Sequence, residues 1–254
     1  MLNLLIGVGL LIPVAIINLL IPVPMVSKVC FFFVKVLYRW CVLVDSFWMK
    51  RVVGIELEVV GEAESHPSPV VICNHQSWFD IPLIQEVVAS RGPIVKFLVK
   101  EELVWVPIIG WICLSLNFPR LKRGKKSGDR KSDFSIIEKT SKSHGNDGAL
   151  LVFPEGTRFT NTKRLDQKSP YKNLLKPRAG GLNVIKNNMD PNTPLVDITI
   201  DYGDSRPNIW KCLHGNPAKI KITVAHFKLA ELSSTEDWLN NRWYEKDKIL
   251  TDAK

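Results

Sequence analysis

PVVICNHQSWFDIP, residues 69–82, contains the change of pattern from which an α/β fold is predicted. Its first five residues form a short apolar run typical of a buried strand, and Pro82 fits the first turn of a helix. The polar residues between them therefore follow the carboxyl end of a strand. Open α/β sheets place their ligands at that end.

His75 and Asp80 lie in this polar segment and form a candidate catalytic pair. An imidazole can accept a proton from a hydroxyl near neutral pH, and a carboxylate bonded to its second nitrogen fixes the tautomer. On one continuous helix the two side chains would point roughly 140° apart. Pairing therefore requires a turn that leads into a helix. The alternative is that both residues only cap a turn.

A second stretch, ALLVFPEGTR at 149–158, repeats the pattern of an apolar strand followed by a polar turn. Gly156 allows backbone to approach a ligand closely, and the guanidinium of Arg158 matches the oxygens of a phosphate. This combination predicts a site for a phosphate ester. The alternative is a surface ion pair between Glu155 and Arg158, worth about 0–1 kcal/mol.

Apolar strands and amphipathic helices alternate after residue 51, which predicts an α/β fold with a single mixed-sheet catalytic domain flanked by helices, residues 51–254. The candidate strands are Val70–Cys73, Ile94–Val99, Ala149–Phe153, Leu195–Ile200 and Lys219–Val224. The candidate helices are Ile81–Ala89, Ser132–Ser143 and Glu236–Leu250, the last of which should pack Trp238, Leu239, Trp243 and Leu250 on the sheet. Lys163–Lys176 is polar and basic, which predicts a mobile loop near the site.

Residues 1–50 predict a membrane-embedded segment followed by an interfacial helix. Leu2–Ile21 is almost wholly aliphatic and long enough to cross a hydrocarbon core of roughly 30 Å, although Pro13 leaves a re-entrant hairpin as the alternative. Val29–Met49 mixes charged and aromatic residues and fits the interface. Positive charge follows the apolar run, at Lys28, Lys35, Arg39, Lys50 and Arg51. This pattern predicts a membrane-associated protein with its catalytic domain on the cytoplasmic face.

The chain carries a formal net charge of +9, and its basic residues are concentrated at 120–131 and 163–178. Anionic membrane phospholipids fit such surfaces. Nucleic acid is not expected as a partner, because the sequence contains no recognised nucleic-acid-binding module. The histidines and the five cysteines show no metal-ligand spacing, so we predict no metal.

Together the two polar stretches resemble the glycerophospholipid acyltransferase family, also called the lysophosphatidic acid acyltransferase family. The resemblance extends from Val70 to about Ile200 and rests on four blocks in order: Asn74, His75 and Asp80; Pro107–Trp111 with Phe118–Arg123; the complete Phe153–Arg158; and, loosely, Asn192–Ile198. The extension Arg158–Lys163 is similar to the subgroup of lysocardiolipin acyltransferases and their bacterial relatives.

The resemblance implies transfer of an acyl group from a thioester to the free hydroxyl of a lysophospholipid acceptor, 1-acyl-sn-glycerol 3-phosphate first among them. His75 would be the general base and Asp80 its orienting partner, without an acyl-enzyme. Acyl-CoA or acyl carrier protein would supply the acyl group as co-substrate, with no other cofactor. The implied binders of the glycerol phosphate are Glu155, Gly156, Thr157 and Arg158, with Arg123 and its rival Arg120 from the second block.

A carboxylate beside a phosphate is unfavourable, so Glu155 is expected to bond a hydroxyl or to orient Arg158. The chain has no Gly-x-Ser-x-Gly motif, so a serine hydrolase of the α/β type is not supported. The alternative function is a non-catalytic protein of the same fold that binds anionic phospholipid.

Overall fold

The computed structural model describes residues 9–10, 13–14, 21, 23–61, 66–89, 93–106, 110, 113–114, 118–122, 124, 127–144, 148–203 and 208–252. Its strands are β1 Glu56–Val60, β2 Val70–Cys73, β3 Val95–Phe97, β4 Val99–Lys100, β5 Arg120–Leu121, β6 Ala149–Val152, β7 Pro194–Asp201 and β8 Lys219–Lys228. Its α-helices are α1 Pro24–Phe47, α2 Asp80–Val88, α3 Ser127–Lys142, α4 Asn161–Asp166, α5 Ala179–Asn188, α6 Ile209–Leu213 and α7 Thr235–Asp252. Short 3-10 turns cover Glu101–Trp105 and Leu229–Glu231, and a π-helical turn covers Trp48–Val52.

A mixed sheet with strand order β1-β8-β7-β2-β6-β3 organises the domain. Every neighbouring pair in it is parallel except β7 and β8. Strand β2 lies between β7 and β6, so the carboxyl ends of these three strands meet at one edge. The segments that follow β2, β6 and β7 are therefore neighbours, although they are far apart in the sequence.

Helices cover both faces of the sheet, which explains why β2 is a continuous apolar run. Val71 and Cys73 belong to a cluster with residues of α2, namely Leu83, Ile84 and Val87. Val70 and Ile72 belong to the cluster on the other face, which contains residues of α3, α5 and α7, among them Ile137, Leu182, Ile185, Leu239 and Trp243. The result is a three-layer domain with its site at one edge of the middle layer.

Helix α1 packs along the domain and also presents an apolar face to the outside. Val42 joins the cluster that contains α2, and Val34 packs with Ile94 and Phe118. The outward residues recur every three or four positions, as on one helix face, and are Met25, Val29, Phe32, Phe33, Val36, Trp40, Leu43 and Phe47. Among the described residues, none of the helices combines the length and the apolar character needed to traverse a bilayer.

The predicted α/β class and mixed sheet are confirmed, and β2 has the predicted bounds. The prediction of one strand over Ile94–Val99 is wrong, because β3 and β4 are separate and belong to different sheets. The predicted loop at Lys163–Lys176 begins inside α4 and buries Tyr171, Leu174 and Leu175. The predicted membrane segment Leu2–Ile21 lies almost entirely outside the described residues, and the division at residue 50 stays a prediction.

Candidate active site

Asn74 directly follows β2 and fixes the start of the loop. Its side-chain nitrogen donates to the carbonyl oxygen of Ile200 at 3.0 Å, and the Ile200 N–H donates to its side-chain oxygen at 2.8 Å. The amide thus continues the pairing of β2 with β7 where the strand ladder stops. This reciprocal pair fixes the backbone immediately before His75.

His75 and Asp80 form the predicted pair. The Nδ1 atom of His75 lies 2.8 Å from Oδ2 of Asp80, and Asp80 is the first residue of α2. Because the carboxylate can only accept, Nδ1 carries the proton and Nε2 keeps its lone pair. Nε2 has no hydrogen-bond partner among the described residues, and the ring stacks on Phe153 with centroids 4.0 Å apart. His75 is therefore oriented as a proton acceptor.

Asp80 also caps the turn, so pairing with His75 and capping of the turn occur together, and the catalytic role of the pair stays a prediction. Its Oδ2 accepts the N–H groups of Gln76 at 2.7 Å and Ser77 at 3.0 Å. The side chain of Asp80 is fully buried. A buried carboxylate with this many donors is held in one position, which in turn fixes the imidazole.

Tyr202, which was not predicted from the sequence, is a third member of the chain of hydrogen bonds. Its hydroxyl donates to Oδ1 of Asp80 at 2.6 Å, and the residue is 1% exposed. Burial, and then the charge of Asp80, raise the pKa of Tyr202 well above its usual value, so the phenol stays protonated. The sequence places Tyr202 just after an apolar strand, but that this strand lies beside β2 is a property of the assembled sheet.

Glu155 is placed differently from the predicted substrate contact. Its Oε1 accepts the His75 N–H and its Oε2 accepts the Leu175 N–H, both at 3.1 Å. The side chain is 0% exposed, and desolvation raises the pKa of Glu155 to about 8. No ion pair joins it to Arg158 among the described residues, so the alternative of a Glu155–Arg158 surface pair is wrong. Glu155 holds the backbone of His75 in place.

The turn after β6 is closed by Gly156 and tied to the turn after β2. Gly156 adopts a φ of +69°, which favours glycine, and its N–H donates to the Phe153 carbonyl at 2.9 Å. The Phe159 N–H donates to the His75 carbonyl at 2.7 Å. Two segments more than eighty positions apart are thereby joined through the backbone of His75.

Arg158 lies in a cavity of about 420 Å³ beside the loop that carries His75. Its guanidinium lies over the ring of Trp78, 5.0 Å from the centroid. Lys163 is the second cation of this cavity, and its Nζ donates to Oγ1 of Thr157 at 2.8 Å. The other lining residues are Gln76, Ser77, Phe159, Thr160, Asn208 and Trp210.

None of the described residues of the second block lines this cavity. Arg120 is exposed on β5, which pairs with β4 in a separate two-stranded sheet. Arg120 is not among the residues that line the cavity. Arg123 lies outside the described residues, so the phosphate role of either arginine stays a prediction. Within the described ranges, no group of three His, Cys, Asp or Glu side chains is arranged to hold a metal ion.

This arrangement combines an oriented imidazole with a neighbouring cationic cavity. The imidazole can remove a proton from a hydroxyl, and the cations can hold an anionic group of the same molecule. Fold and site together define an α/β protein with a histidine–aspartate pair at the carboxyl edge of its sheet.

A family model described as Acyltransferase matches residues 56–199. The chain therefore belongs to the acyltransferase family, as the four blocks indicated. It is 30% identical over 210 residues to an uncharacterized acyltransferase of Schizosaccharomyces pombe, covering 71% of this chain and 58% of the relative. It is 26% identical over 251 residues to the human 1-acyl-sn-glycerol-3-phosphate acyltransferase gamma, covering 85% and 64%.

The fold is similar to that of a solved structure, the 1-acyl-sn-glycerophosphate acyltransferase PlsC of Thermotoga maritima. The TM-score is 0.57 at 19% sequence identity, and the similarity covers 98% of this chain and 95% of that one. The chain spans about six tenths of the length of the curated relatives it matches.

Proposed function

We propose that this chain transfers a fatty acyl group from an acyl thioester to the free hydroxyl of a lysophospholipid, with 1-acyl-sn-glycerol 3-phosphate as the preferred acceptor. The observation that carries the proposal is the 2.8 Å contact between His75 and Asp80 beside a cavity that contains Arg158. Several relatives of this family are named 1-acyl-sn-glycerol-3-phosphate acyltransferases, which supports the choice of acceptor.

His75 performs the proton transfers of the reaction. Its Nε2 removes the proton of the acceptor hydroxyl as that oxygen attacks the thioester carbonyl. The tetrahedral intermediate collapses, the carbon–sulfur bond breaks, and the departing sulfur takes the proton from the imidazolium. Asp80 stabilises the imidazolium between the two steps. The products are the diacyl phospholipid and a free thiol, and no acyl-enzyme is formed.

Arg158 holds the acceptor phosphate in this scheme. A guanidinium over an aromatic ring is pre-oriented, and it forms charge-assisted hydrogen bonds with phosphate oxygens. Among the described residues Arg158 has no acidic partner, so its charge is available to a ligand. Glu155 contributes by fixing the backbone of His75 instead of touching the acceptor.

The acceptor and its product are membrane lipids, and α1 supplies a surface for the bilayer. Phe32 and Leu43 on its outward face are 62% and 65% exposed, and Lys28, Lys35 and Arg39 lie on the same helix. An amphipathic helix with aromatic and basic residues binds the interface of an anionic membrane. The basic residues favour the cytoplasmic face.

The experiment is an acyl-transfer assay on purified protein in detergent. Labelled acyl-CoA and acyl carrier protein thioesters are each offered with a panel of lysophospholipids, and the diacyl product is followed. Transfer to at least one lysophospholipid is expected, and the panel names donor and acceptor. Lipid binding without transfer to any acceptor would favour the non-catalytic alternative.

The role of Arg158 is tested by Arg158→Ala in the same assay. Loss of a charge-assisted hydrogen bond worth about 1.5–3 kcal/mol should raise the KM for the acceptor about tenfold or more, with a smaller change in kcat. Lys172→Ala, an exposed residue outside the cavity, is the control. An unchanged KM in Arg158→Ala would remove this residue from the phosphate site.

A further inference from the structure

Lys163 has an unusual position for a basic residue in a surface segment. It lies in α4, where its N–H donates to Oγ1 of Thr160 at 3.2 Å. Its side chain then turns back toward the preceding loop, so that Nζ donates to Oγ1 of Thr157 at 2.8 Å and to the carbonyl of Arg158 at 3.1 Å. The ammonium is therefore fixed beside Thr157 and Arg158, in the turn after β6, instead of extending freely into solvent.

Lys163 also retains the capacity to bind a ligand. An ammonium has three donors, and two of them are used by Thr157 and Arg158. Lys163 and Arg158 line the same cavity, and neither has an acidic partner among the described residues. Two positive charges thus face one cavity without compensation from a carboxylate in the described part of the chain.

We propose that Lys163 is a second phosphate-binding residue, which makes the site prefer a phosphate monoester to a phosphodiester. The inference rests on the proposed acyl transfer and adds a residue that determines its selectivity. A monoester carries a charge of about −1.5 to −2 at pH 7, because its second pKa is about 6, whereas a diester carries one negative charge. Two fixed cations neutralise the monoester, but the diester needs only one of them.

A purely structural role for Lys163 makes a different prediction. If the ammonium only joined Thr157 to the Arg158 carbonyl, its loss would disturb the turn in the same way for every acceptor. Both acceptors would then lose activity by equal factors, and the change would fall on kcat as well as KM. Selectivity between the two phosphate classes therefore separates the two roles.

The test compares kcat/KM for lysophosphatidic acid and lysophosphatidylglycerol with the same acyl chain, in mixed micelles at pH 7.5. The proteins are the wild type, Lys163→Met and the control Lys172→Met, which removes the same charge from an exposed position outside the cavity. In Lys163→Met the preference for the monoester should fall about tenfold or more, mainly through KM. The preference should be unchanged in Lys172→Met.

A pH series provides the second measurement. The ratio of the two kcat/KM values cancels the protonation of the base, which both acceptors share. In the wild type this ratio should rise between pH 5.5 and pH 7.5 as the monoester ionises, and in Lys163→Met the rise should be much smaller.

Two results would overturn the inference while leaving the acyltransferase proposal in place. The first is an unchanged kcat/KM for both acceptors in Lys163→Met. The second is an equal loss of kcat/KM for both acceptors. Either result leaves the monoester preference as it is in the wild type. Absence of transfer by the wild type to either acceptor, or to any other lysophospholipid, would instead overturn the proposed function and this inference together.

Discussion

Around His75, each fixed atom depends on a partner from another part of the chain. Asp80 holds Nδ1 of the ring, Tyr202 holds Asp80, and Glu155 holds the His75 N–H. These contacts join the ends of three adjacent strands. The imidazole is thus positioned by groups that themselves have little freedom, as the proposed proton transfer requires.

Tyr202→Phe removes one donor from the buried carboxylate of Asp80. Asp80, and with it the imidazole, is then held less firmly, so the proposed proton transfer should slow. We expect kcat to fall on the order of tenfold with little change in the KM for the acceptor, since a hydrogen bond to a charged group contributes about 1.5–3 kcal/mol. The measurement is kcat and KM for the acceptor, together with the melting temperature. A lower melting temperature with an unchanged kcat would show a structural role only.

Glu155 should make stability depend on pH in an unusual direction. Its pKa rises from 4.5 to about 8 on folding, so between these values the folded state holds a proton that the unfolded state has released. The stability of the wild type relative to Glu155→Gln should therefore fall as the pH rises from about 5 to 8, and level off above that. Urea unfolding of both proteins in detergent at several pH values measures this. A difference that stays constant with pH would mean that Glu155 is ionised throughout.

Five residues of the candidate site could be chosen from the sequence, because their residue types carry chemistry at recognisable spacing. They are His75, Asp80, Glu155, Gly156 and Arg158. Their partners could not be chosen in this way. Tyr202 meets Asp80 only through the lateral order of β7 and β2, and the role of Glu155 depends on the backbone of Leu175. Strand order and burial are properties of the assembled sheet, which local patterns do not specify.

Among the elements, α1 shows most clearly what local patterns can predict. Its mixture of charged and aromatic residues indicated an amphipathic helix, and the structure has a helix with one packed and one outward apolar face. Its position at a membrane interface stays a prediction. The last helix, α7, packs Leu239, Trp243 and Leu250 as predicted. It also buries Lys246, whose Nζ lies 2.6 Å from Oδ1 of Asp197 on β7. A lysine in a polar helix pattern gives no sign of such a buried partner.

The outward face of α1 should bind anionic vesicles. Replacing Phe32 and Leu43 together by serine removes two large apolar side chains, and burying each stabilises by about 1.5–3 kcal/mol. We expect binding to phosphatidylglycerol vesicles to weaken tenfold or more in a co-sedimentation assay. The control is Tyr244→Ser, whose side chain is as exposed as that of Leu43. Tyr244 lies on α7, a helix that packs on the opposite face of the sheet. Equal loss of binding in both variants would contradict a specific role of α1.

Considered as a whole, the molecule combines a sheet edge that carries His75 with a helix that carries an outward apolar face. The parallel order of β7, β2 and β6 brings together turns that no local pattern connects. The α/β class and the two site-bearing turns could be predicted because apolar strands and polar turns alternate in the sequence. The short first strand, β1, could not, since its half-exposed residues give no clear alternation.

The most direct measurement is the rate of acyl transfer to lysophosphatidic acid by His75→Ala, compared with the wild type and with His144→Ala. The control histidine bonds the Ser68 carbonyl at the amino end of β2, away from the candidate site. General-base catalysis contributes about 10²–10⁴-fold, so His75→Ala should lose at least a hundredfold in kcat while its far-ultraviolet spectrum and melting curve are unchanged. His144→Ala should keep its activity. Transfer at the wild-type rate by a folded His75→Ala protein would contradict the assignment of His75 as the base.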